Sequence, residues 1–379
     1  MDDTLALYVH WPFCRSKCPY CDFNSYAVEA IEQERWRASL LREIEYFANE
    51  TNGRVLSSIF FGGGTPSLMA PATAAAVIAA AKRHWQTTDD LEVTLEANPT
   101  SSEAGLFAAL AEAGVTRLSL GVQSFDNAAL AFLGRAHDAI EAKRAIAMAA
   151  ATFERFSFDL IYARPGQTVA VWQRELAEAL AFAPGHLSVY QLTIEPGTRF
   201  HEDGVGAADE EMAAALYEAT HEVLGTAGLP AYEISNHARP GAECQHNLGI
   251  WRGGDYVGVG PGAHGRLTGP GGTEALRQIH TPGRWLAAVD RQGHGTVERI
   301  RLDPRQRADE LVMLGLRTAE GINRARFSAR SGLALEDAVD AGALAEIIDG
   351  GFLETDGESL RASPAGHQRL NAVLSRLLA

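Results

Sequence analysis

Cysteine is scarce in this chain: only four of its 379 residues are cysteines, and three of them lie between positions 14 and 21. The sequence also lacks an uninterrupted run of about 18 apolar residues, the length that a membrane-spanning helix needs. The N-terminal stretch MDDTLALYVHWPF begins with two acids after the methionine, and its apolar run is too short for a signal peptide. Few cysteines and no export signal predict a reducing, cytoplasmic location, where clustered thiols bind metal or carry out chemistry.

Basic residues are also in deficit. The chain has 33 lysines and arginines against 48 aspartates and glutamates, a formal net charge of -15. Because such an acidic surface repels phosphate backbones, we do not expect nucleic acid to be a partner. The hydrophobic fraction of 46% is ample for a large core, and the length alone suggests two to three domains.

Short β-rich segments alternate with longer helical segments over the first two-thirds of the chain. The candidate strands lie at 5–11, 57–63, 91–97, 116–122, 155–162 and 186–194. Between them lie Ala- and Leu-rich segments with helical periodicity, at 32–49, 71–84, 102–113, 138–151 and 168–182. This alternation predicts an α/β fold with right-handed βαβ units and a parallel sheet. Because these strands are too few for the closed eight-stranded barrel, we predict a partial (βα)6 barrel that is open on one side.

The last third of the chain has a different composition. A glycine-rich passage at 234–265 is predicted to be loop-like, and helical segments return from about residue 305. Asp356-Gly357 marks a hairpin before a last helix, an arrangement similar to a winged helix. Since no basic recognition helix is visible, we expect this unit to pack on the barrel or cover it rather than bind DNA. The predicted domains are a barrel over 1–235, a connecting region over 236–304 and a mainly helical, winged-helix-like domain over 305–379.

Polar residues stand at the carboxyl ends of four of the predicted strands. GGGTP follows one strand at 62–66, Glu96 ends the next, Gln123 follows the third and Asp159 lies in the fourth. In parallel barrels the chemistry gathers at these ends. A single polar strand end is explained by a structural hydrogen bond, but four of them predict a shared pocket.

The clustered cysteines are spaced C-x3-C-x2-C, at Cys14, Cys18 and Cys21. Three thiolates on one loop suit a cubane iron–sulfur cluster, because they bind three irons and leave the fourth open to another ligand. The alternative is a structural zinc site that takes Cys244 as its fourth ligand, although such sites more often consist of two separated C-x2-C pairs. The spacing favours the cluster.

With this spacing on the loop after the first strand, the chain resembles the radical S-adenosylmethionine (SAM) superfamily. Within the superfamily it resembles the branch that contains oxygen-independent coproporphyrinogen III dehydrogenase and the HemW-type heme chaperones. The resemblance covers nearly the whole chain and rests on YVHWPFC (8–14), FFGGGTPS (60–67), LEANP (95–99), LGVQSF (120–125), LGRAHD (133–138), DLIYARPGQT (159–168) and YQLTIEPGT (190–198).

The resemblance implies two cofactors, a 4Fe-4S cluster and S-adenosylmethionine. In the superfamily the amino and carboxylate groups of SAM bind the open iron, and the reduced cluster cleaves the cofactor to a 5′-deoxyadenosyl radical. The cluster ligands implied here are Cys14, Cys18 and Cys21. The implied SAM contacts are Tyr8, Gly63, Gly64, Thr65, Glu96, Gln123, Arg135 and Asp159.

Physical roles can be given to most of these residues. The glycines let the backbone approach a ligand closely, and the forked cation of Arg135 suits a carboxylate. Gln123 and Asp159 suit ribose hydroxyls, and Glu96 suits an amino group or a hydroxyl. Because an unpaired buried carboxylate is costly, Asp159 should have a partner. Tyr8 is also compatible with a place in the core.

Two features separate the members of the branch. The dehydrogenases carry a further cysteine two residues after the third one, where this chain has Phe23, and they have a longer N-terminal arm than the thirteen residues that precede Cys14. Phenylalanine neither ligates nor donates, so oxidative decarboxylation of a porphyrinogen is not favoured. The resemblance therefore predicts a heme chaperone, with coproporphyrinogen III dehydrogenase or another radical enzyme acting on a tetrapyrrole as the alternative.

The chaperones carry an H-N-x-x-Y-W motif associated with heme, and this chain has HNLGIW. His246, Asn247 and Trp251 match, whereas Ile250 replaces the tyrosine. Imidazole is a good axial ligand for heme iron, so His246 is the predicted heme contact, placed in a mobile loop. The alternatives are an ordinary loop histidine at this position and Cys244 as the ligand.

The resemblance also implies partners. Heme and acceptor hemoproteins are expected, and peripheral association with the cytoplasmic membrane is compatible with the family. The sequence leaves the oligomeric state open.

Overall fold

The computed structural model describes residues 3–182 and 185–378. The strands are β1 (Thr4–Trp11), β2 (Phe13–Cys14), β3 (Tyr26–Ala27), β4 (Val55–Gly63), β5 (Gln86–Ala97), β6 (Arg117–Gln123), β7 (Arg155–Tyr162), β8 (His186–Gln191), β9 (Asn236–Ala238), β10 (Asp255–Val259), β11 (His264–Gly269), β12 (Gly272–Gln278), β13 (Thr296–Arg301), β14 (Ile322–Asn323), β15 (Leu353–Thr355) and β16 (Ser359–Ala362).

The helices lie mainly between the strands of the first part and in the last third of the chain. They are α1 (Gln33–Glu50), α2 (Pro71–His84), α3 (Ser101–Ala104), α4 (Phe107–Glu112), α5 (Asn127–Phe132), α6 (Ala139–Thr152), α7 (Val169–Leu180), α8 (Arg199–Glu202), α9 (Glu210–Thr226), α10 (Gln245–Trp251), α11 (Pro282–Gln292), α12 (Pro304–Gly315), α13 (Arg324–Ser331), α14 (Leu335–Ala338), α15 (Ala341–Asp349), α16 (Pro364–Gln368) and α17 (Leu370–Leu377). Within the described ranges no helix combines the length and the apolar character that crossing a bilayer requires.

The six predicted strands form one parallel sheet in the order β1-β4-β5-β6-β7-β8. Strands that follow one another through a crossover are neighbours in the sheet, as expected for repeated βαβ units. Over the described residues the sheet ends in two edges, β13 and β9, so the barrel does not close. The prediction of an open, partial barrel is confirmed.

The sheet extends beyond the predicted strands. Strand β10 pairs in parallel with β1, so that Val9 lies beside Val259, and β11, β12 and β13 continue the sheet in antiparallel order. The prediction of a loop-like passage at 234–265 is therefore wrong for most of its length. Glycine has a packing role here, because a Cβ on Gly258 would lie 1.8 Å from the carbonyl oxygen of His264. The boundaries at 235 and 304 stay a prediction.

The helices cover the outer face of the barrel with regular apolar stripes. Helix α1 buries Leu40, Ile44 and Phe47 completely, and the rings of Trp36 and Trp285 stack at 5.4 Å. Burying one side chain of this kind stabilises the fold by about 1.5–3 kcal/mol. A second group of buried apolar side chains lies within 308–377, where small strands and helices form a winged-helix-like unit.

A buried acid fixes the loop at the carboxyl end of β10. Glu43 is completely buried in α1 and accepts hydrogen bonds from the amides of Gly260 and Gly295 and from the indole of Trp285. Burial raises the pKa of this carboxyl to about 7, and the three donors oppose the shift. Glu43 thereby holds the backbone that packs against His10 at the end of β1, close to the cysteine loop.

Candidate functional site

A cavity of about 530 Å³ opens at the carboxyl ends of the parallel strands. This is the position where a parallel barrel places its active site. Most of the residues singled out in the sequence line the cavity together: Cys14, Cys18, Cys21, Gly63, Gly64, Thr65, Glu96, Gln123, Arg135 and Asp159.

Tyr8 does not line this cavity. Its hydroxyl lies 3.0 Å from Nδ1 of His10, and its ring packs near those of Phe60 and His246 inside the barrel. Contact between Tyr8 and a cofactor stays a prediction.

The cysteine loop is short, and both of its ends are fixed. Strands β2 and β3 pair in parallel, so that Cys14 lies beside Ala27. A turn closes between Cys18 and Cys21, whose amide donates to the Cys18 carbonyl at 3.1 Å. The side-chain amide of Asn24 donates to the carbonyls of Pro261 at 2.9 Å and of His280 at 3.0 Å. The three thiols are therefore presented on a loop that is tied to the barrel.

The donor set fits the iron–sulfur cluster that the motif predicts. The cysteines are free, and burial raises the pKa of the Cys14 thiol. Over residues 3–182 and 185–378, no group of three or more His, Cys, Asp or Glu side chains is close enough to hold a single metal ion. Three thiols that line one cavity suit a 4Fe-4S cluster, with one iron left for a ligand in the cavity.

Cys244 lies elsewhere. Its buried sulfur is 3.5 Å from Oε1 of Glu92, beside the residues that begin β6 and β7 and thus towards the opposite end of the barrel. This placement does not support the zinc alternative, which needs Cys244 next to the other three cysteines.

The glycine turn after β4 forms one wall of the cavity. Gly63 has φ +116°, and a Cβ there would lie 2.7 Å from the ring of His10. A Cβ on Gly64 would lie 2.7 Å from the carbonyl oxygen of Phe13. Backbone amides bind this turn to the cysteine loop, since Gly64 donates to Trp11 and Thr65 to Phe13. Both glycines are needed for this close approach.

Two half-buried carboxyl groups, those of Glu96 and Asp159, line the cavity. Glu96 accepts a hydrogen bond from the Gly63 amide at 3.2 Å, and burial together with the charge of Asp159 raises its pKa to about 8. Burial also raises the pKa of Asp159 to about 6, although the nearby hydroxyl of Ser188 and the positive charge of Arg135 lower it. A direct partner for Asp159 stays a prediction.

Gln123 and Arg135 form the remaining polar wall. Gln123 ends β6 with φ +71°, an uncommon conformation for a residue other than glycine, and its side chain faces the cavity. The guanidinium of Arg135 donates to Oδ1 of Asn98, to the Gly121 carbonyl at 2.8 Å and to the sulfur of Cys18 at 3.2 Å. Arg135 therefore connects the polar wall with the cysteine loop.

The carboxyl groups predict a pH dependence of SAM binding. With this pKa Glu96 is mostly protonated at neutral pH in the free pocket, whereas the donors that we expect SAM to present would favour its ionised form. Affinity should therefore rise with pH, by up to about tenfold per unit between about pH 6.5 and 8, and level off above that. In Glu96→Gln the affinity should not rise in this way. Any titration of SAM itself would affect the variant and the unchanged protein equally. Isothermal titration across this range tests the prediction, and an equal slope in both proteins would contradict it.

His246 lies outside the cavity. It is the second residue of α10, 2% exposed, with Nδ1 at 2.9 Å from the hydroxyl of Ser58 and its ring centroid at 4.9 Å from that of Phe60. The prediction of a loop at this position is wrong, because His246 lies in a short helix. Burial lowers the pKa of His246 to about 3, so the imidazole is neutral.

The remaining residues of the HNLGIW motif are part of the same short helix. Trp251 ends α10, and the guanidinium of Arg317 lies 4.6 Å from the centre of its ring. Ile250 is half-buried beside it. The motif thus packs between the barrel and the last third of the chain.

A charged cluster that the sequence analysis missed holds α10 in place. Oε1 of Glu92 accepts from the Gln245 amide at 2.9 Å, and Oε2 forms ion pairs with Arg117 and Arg155. The two arginines also donate to the carbonyls of Ala242 and Glu243. The sequence does contain a pattern that indicates such a cluster. Polar and apolar residues alternate in EVTLE (92–96), RLSL (117–120) and RFSFD (155–159), and this alternation predicts polar side chains inside the barrel.

Comparison with known proteins agrees with the geometry. Residues 8–179 match the radical SAM superfamily, and residues 302–368 match the HemN C-terminal domain. Heme chaperone HemW of Escherichia coli is 37% identical over 379 residues, which cover 99% of this chain and 98% of that protein. The mouse "Radical S-adenosyl methionine domain-containing protein 1, mitochondrial" is 41% identical over 384 residues, with 98% of this chain and 87% of that protein covered.

Among solved structures, the coproporphyrinogen III oxidase HemN of Escherichia coli matches with a TM-score of 0.82. The match covers 98% of this chain and 89% of that chain, at 22% sequence identity. At this identity the structural match supports the fold alone. The full-length sequence similarities go further, and the chain belongs to the radical SAM superfamily and, within it, to the family of HemW-type heme chaperones.

Proposed function

We propose that this protein is a heme chaperone that carries a 4Fe-4S cluster and a SAM site, binds heme and passes it to acceptor hemoproteins. The observation that carries the proposal is the 37% identity to a heme chaperone over nearly the full length of both chains. Phe23 supports it, because it occupies the position of the extra cysteine in the dehydrogenase branch.

The residues of the cavity suit both cofactors. Cys14, Cys18 and Cys21 would hold the cluster, and the polar groups of Glu96 and Asp159 would bind donors of SAM. When bound, the cluster would supply the electron that cleaves SAM. The protein's own contribution is to orient the cofactor and to exclude water from the cavity.

We further propose His246 as the heme contact. Its neutral ring is the form that binds iron, and its Nε2 has no hydrogen-bond partner within the described residues. Since the ring is buried against Ser58 and Phe60, heme binding at this position requires α10 to move away from the barrel. His246→Ala should shift the Soret band or lower heme affinity, with the exposed His201→Ala as control.

Heme transfer tests the proposed function. The heme-loaded protein is mixed with an apo-hemoprotein such as apomyoglobin, and the Soret spectrum of the acceptor is followed. Transfer faster than from heme bound to albumin supports a chaperone. Formation of vinyl groups from coproporphyrinogen and SAM under reducing conditions would instead support the enzyme of the same branch.

Partners and compartment follow from the same proposal. Acceptor hemoproteins are the proposed partners, and peripheral membrane association is compatible with delivery to membrane-bound acceptors. The mammalian relatives carry the word mitochondrial in their names, so a cytoplasmic location stays a prediction.

A further inference from the structure

Two of the three clustered cysteines receive a hydrogen bond from a residue on a different element. The hydroxyl of Thr65 lies 3.4 Å from the sulfur of Cys14, and Nη1 of Arg135 lies 3.2 Å from that of Cys18. Thr65 follows β4, and Arg135 follows α5. These donors thus reach the cysteine loop from separate parts of the barrel.

Asn98 connects the two donors. Its Oδ1 accepts from Nη2 of Arg135, and its Nδ2 donates to the hydroxyl oxygen of Thr65 at 3.2 Å. Arginine has only donors, so the oxygen of the amide must face Arg135 and the nitrogen must face Thr65. Because Thr65 accepts from Asn98, its own hydrogen is left to point at Cys14. The amide of Asn98 therefore sets the direction of both hydrogen bonds to sulfur.

The position of Asn98 is itself fixed. It follows the last residue of β5, and its backbone amide donates to the carboxylate of Glu103 at 2.9 Å. Thr65 is 5% exposed, and both Nη atoms of Arg135 are used by protein acceptors: Cys18, Tyr20, Asn98 and Gly121. The network is thus preorganised before any ligand enters the cavity.

We propose that Asn98 is a positioning residue that directs Thr65 and Arg135 onto the sulfurs of Cys14 and Cys18 and thereby raises the reduction potential of the cluster. The inference rests on the cluster and does not depend on heme. Reduction adds negative charge to the cluster and its sulfurs. Hydrogen bonds to sulfur and a nearby cation stabilise that charge, which makes the reduced state easier to reach.

The test is an anaerobic redox titration of the full-length reconstituted protein, followed by electron paramagnetic resonance and by the visible chromophore. Asn98→Ala should shift the reduction equilibrium at least tenfold towards the oxidised cluster, a fall of about 59 mV for one electron. In Asn98→Asp the new carboxylate would take the Thr65 hydrogen and add a negative charge, so the fall should be larger. Thr65→Val should lower the reduction potential, whereas Thr65→Ser, which keeps the hydroxyl, should have the potential of the unchanged protein.

Two further variants separate positioning from general disturbance. Thr87→Val, the same change at an exposed threonine near the start of β5 and outside the cavity, should leave the potential unchanged. In the double variant Asn98→Ala/Thr65→Val the reduction potential should fall by less than the sum of the two single-variant falls, because both changes act through the same hydrogen bond to Cys14.

The outcomes are distinct. Normal iron and sulfide content with a wild-type potential in Asn98→Ala and Asn98→Asp would overturn the inference and leave the proposed function standing. If Asn98→Ala loses its iron, Thr65→Val and Thr65→Ser provide the test. Equal reduction potentials in these two variants would also overturn the inference. Heme binding enters none of these measurements, so failure of the chaperone proposal would be seen separately.

Discussion

Replacing Cys14, Cys18 or Cys21 with alanine is expected to abolish the brown chromophore of the anaerobically reconstituted protein. In the proposed cluster each thiolate would hold a different iron, and the loop has no nearby cysteine to replace it, since Cys244 lies beside Glu92. Iron and sulfide analysis with the visible spectrum measures the effect. We expect each variant to lose most of its bound iron.

Cys244→Ala is the matched control. This cysteine is buried, 3% exposed, but it is placed towards the opposite end of the barrel. We expect its iron and sulfide content to equal that of the unchanged protein. Loss of iron in Cys244→Ala, with the fold intact by circular dichroism, would disprove a cluster held by three cysteines.

The second large effect is expected at Glu92. Glu92→Ala removes the carboxylate that pairs with Arg117, which is 2% exposed, and with Arg155. It leaves a buried cation without its counter-ion and the first amides of α10 without their acceptor. Breaking a buried pair in this way costs about 3–5 kcal/mol of unfolding free energy. Urea denaturation followed by circular dichroism measures the loss.

Asp89→Ala is the control for this prediction, because Asp89 is an exposed acid on the same strand. Its effect should stay within about 0.5 kcal/mol. The unfolding free energy of Glu92→Gln should lie between those of Glu92→Ala and Asp89→Ala. Its amide oxygen still accepts a hydrogen bond from Gln245, but the charge is gone. Equal stability of Glu92→Ala and Asp89→Ala would show that α10 is held by other contacts.

Much of the barrel was predictable from the sequence. The strands that became β1, β4, β5, β6, β7 and β8 have β-rich runs separated by helical periodicity, and the apolar residues of these runs belong to the main buried core. The polar strand ends were also informative, because parallel topology brings carboxyl ends together whatever the details of packing. Glu96, Gln123 and Asp159 meet in one cavity for this reason.

The region after the barrel was not predictable in the same way. Glycine has a low propensity for strands, so the many glycines of this region predict loops. Gly258 is instead required for the close packing of β10 against β11. The burial of His246 depends on Glu92, Arg117 and Arg155, which are distant in sequence from α10. Likewise the spacing of the cysteines carried no information on Asn98, whose role depends on three elements that meet only in the folded chain.

A heme chaperone that carries an iron–sulfur cluster should bind both groups in one anaerobic sample. The reconstituted protein is analysed for iron, sulfide and zinc and is then titrated with heme while the Soret band is followed. We predict about four irons and four sulfides per chain, no zinc, and about one heme bound per chain with the cluster retained. Zinc in place of iron and sulfide would rule out the cluster, and an intact cluster with no heme bound would rule out the heme chaperone.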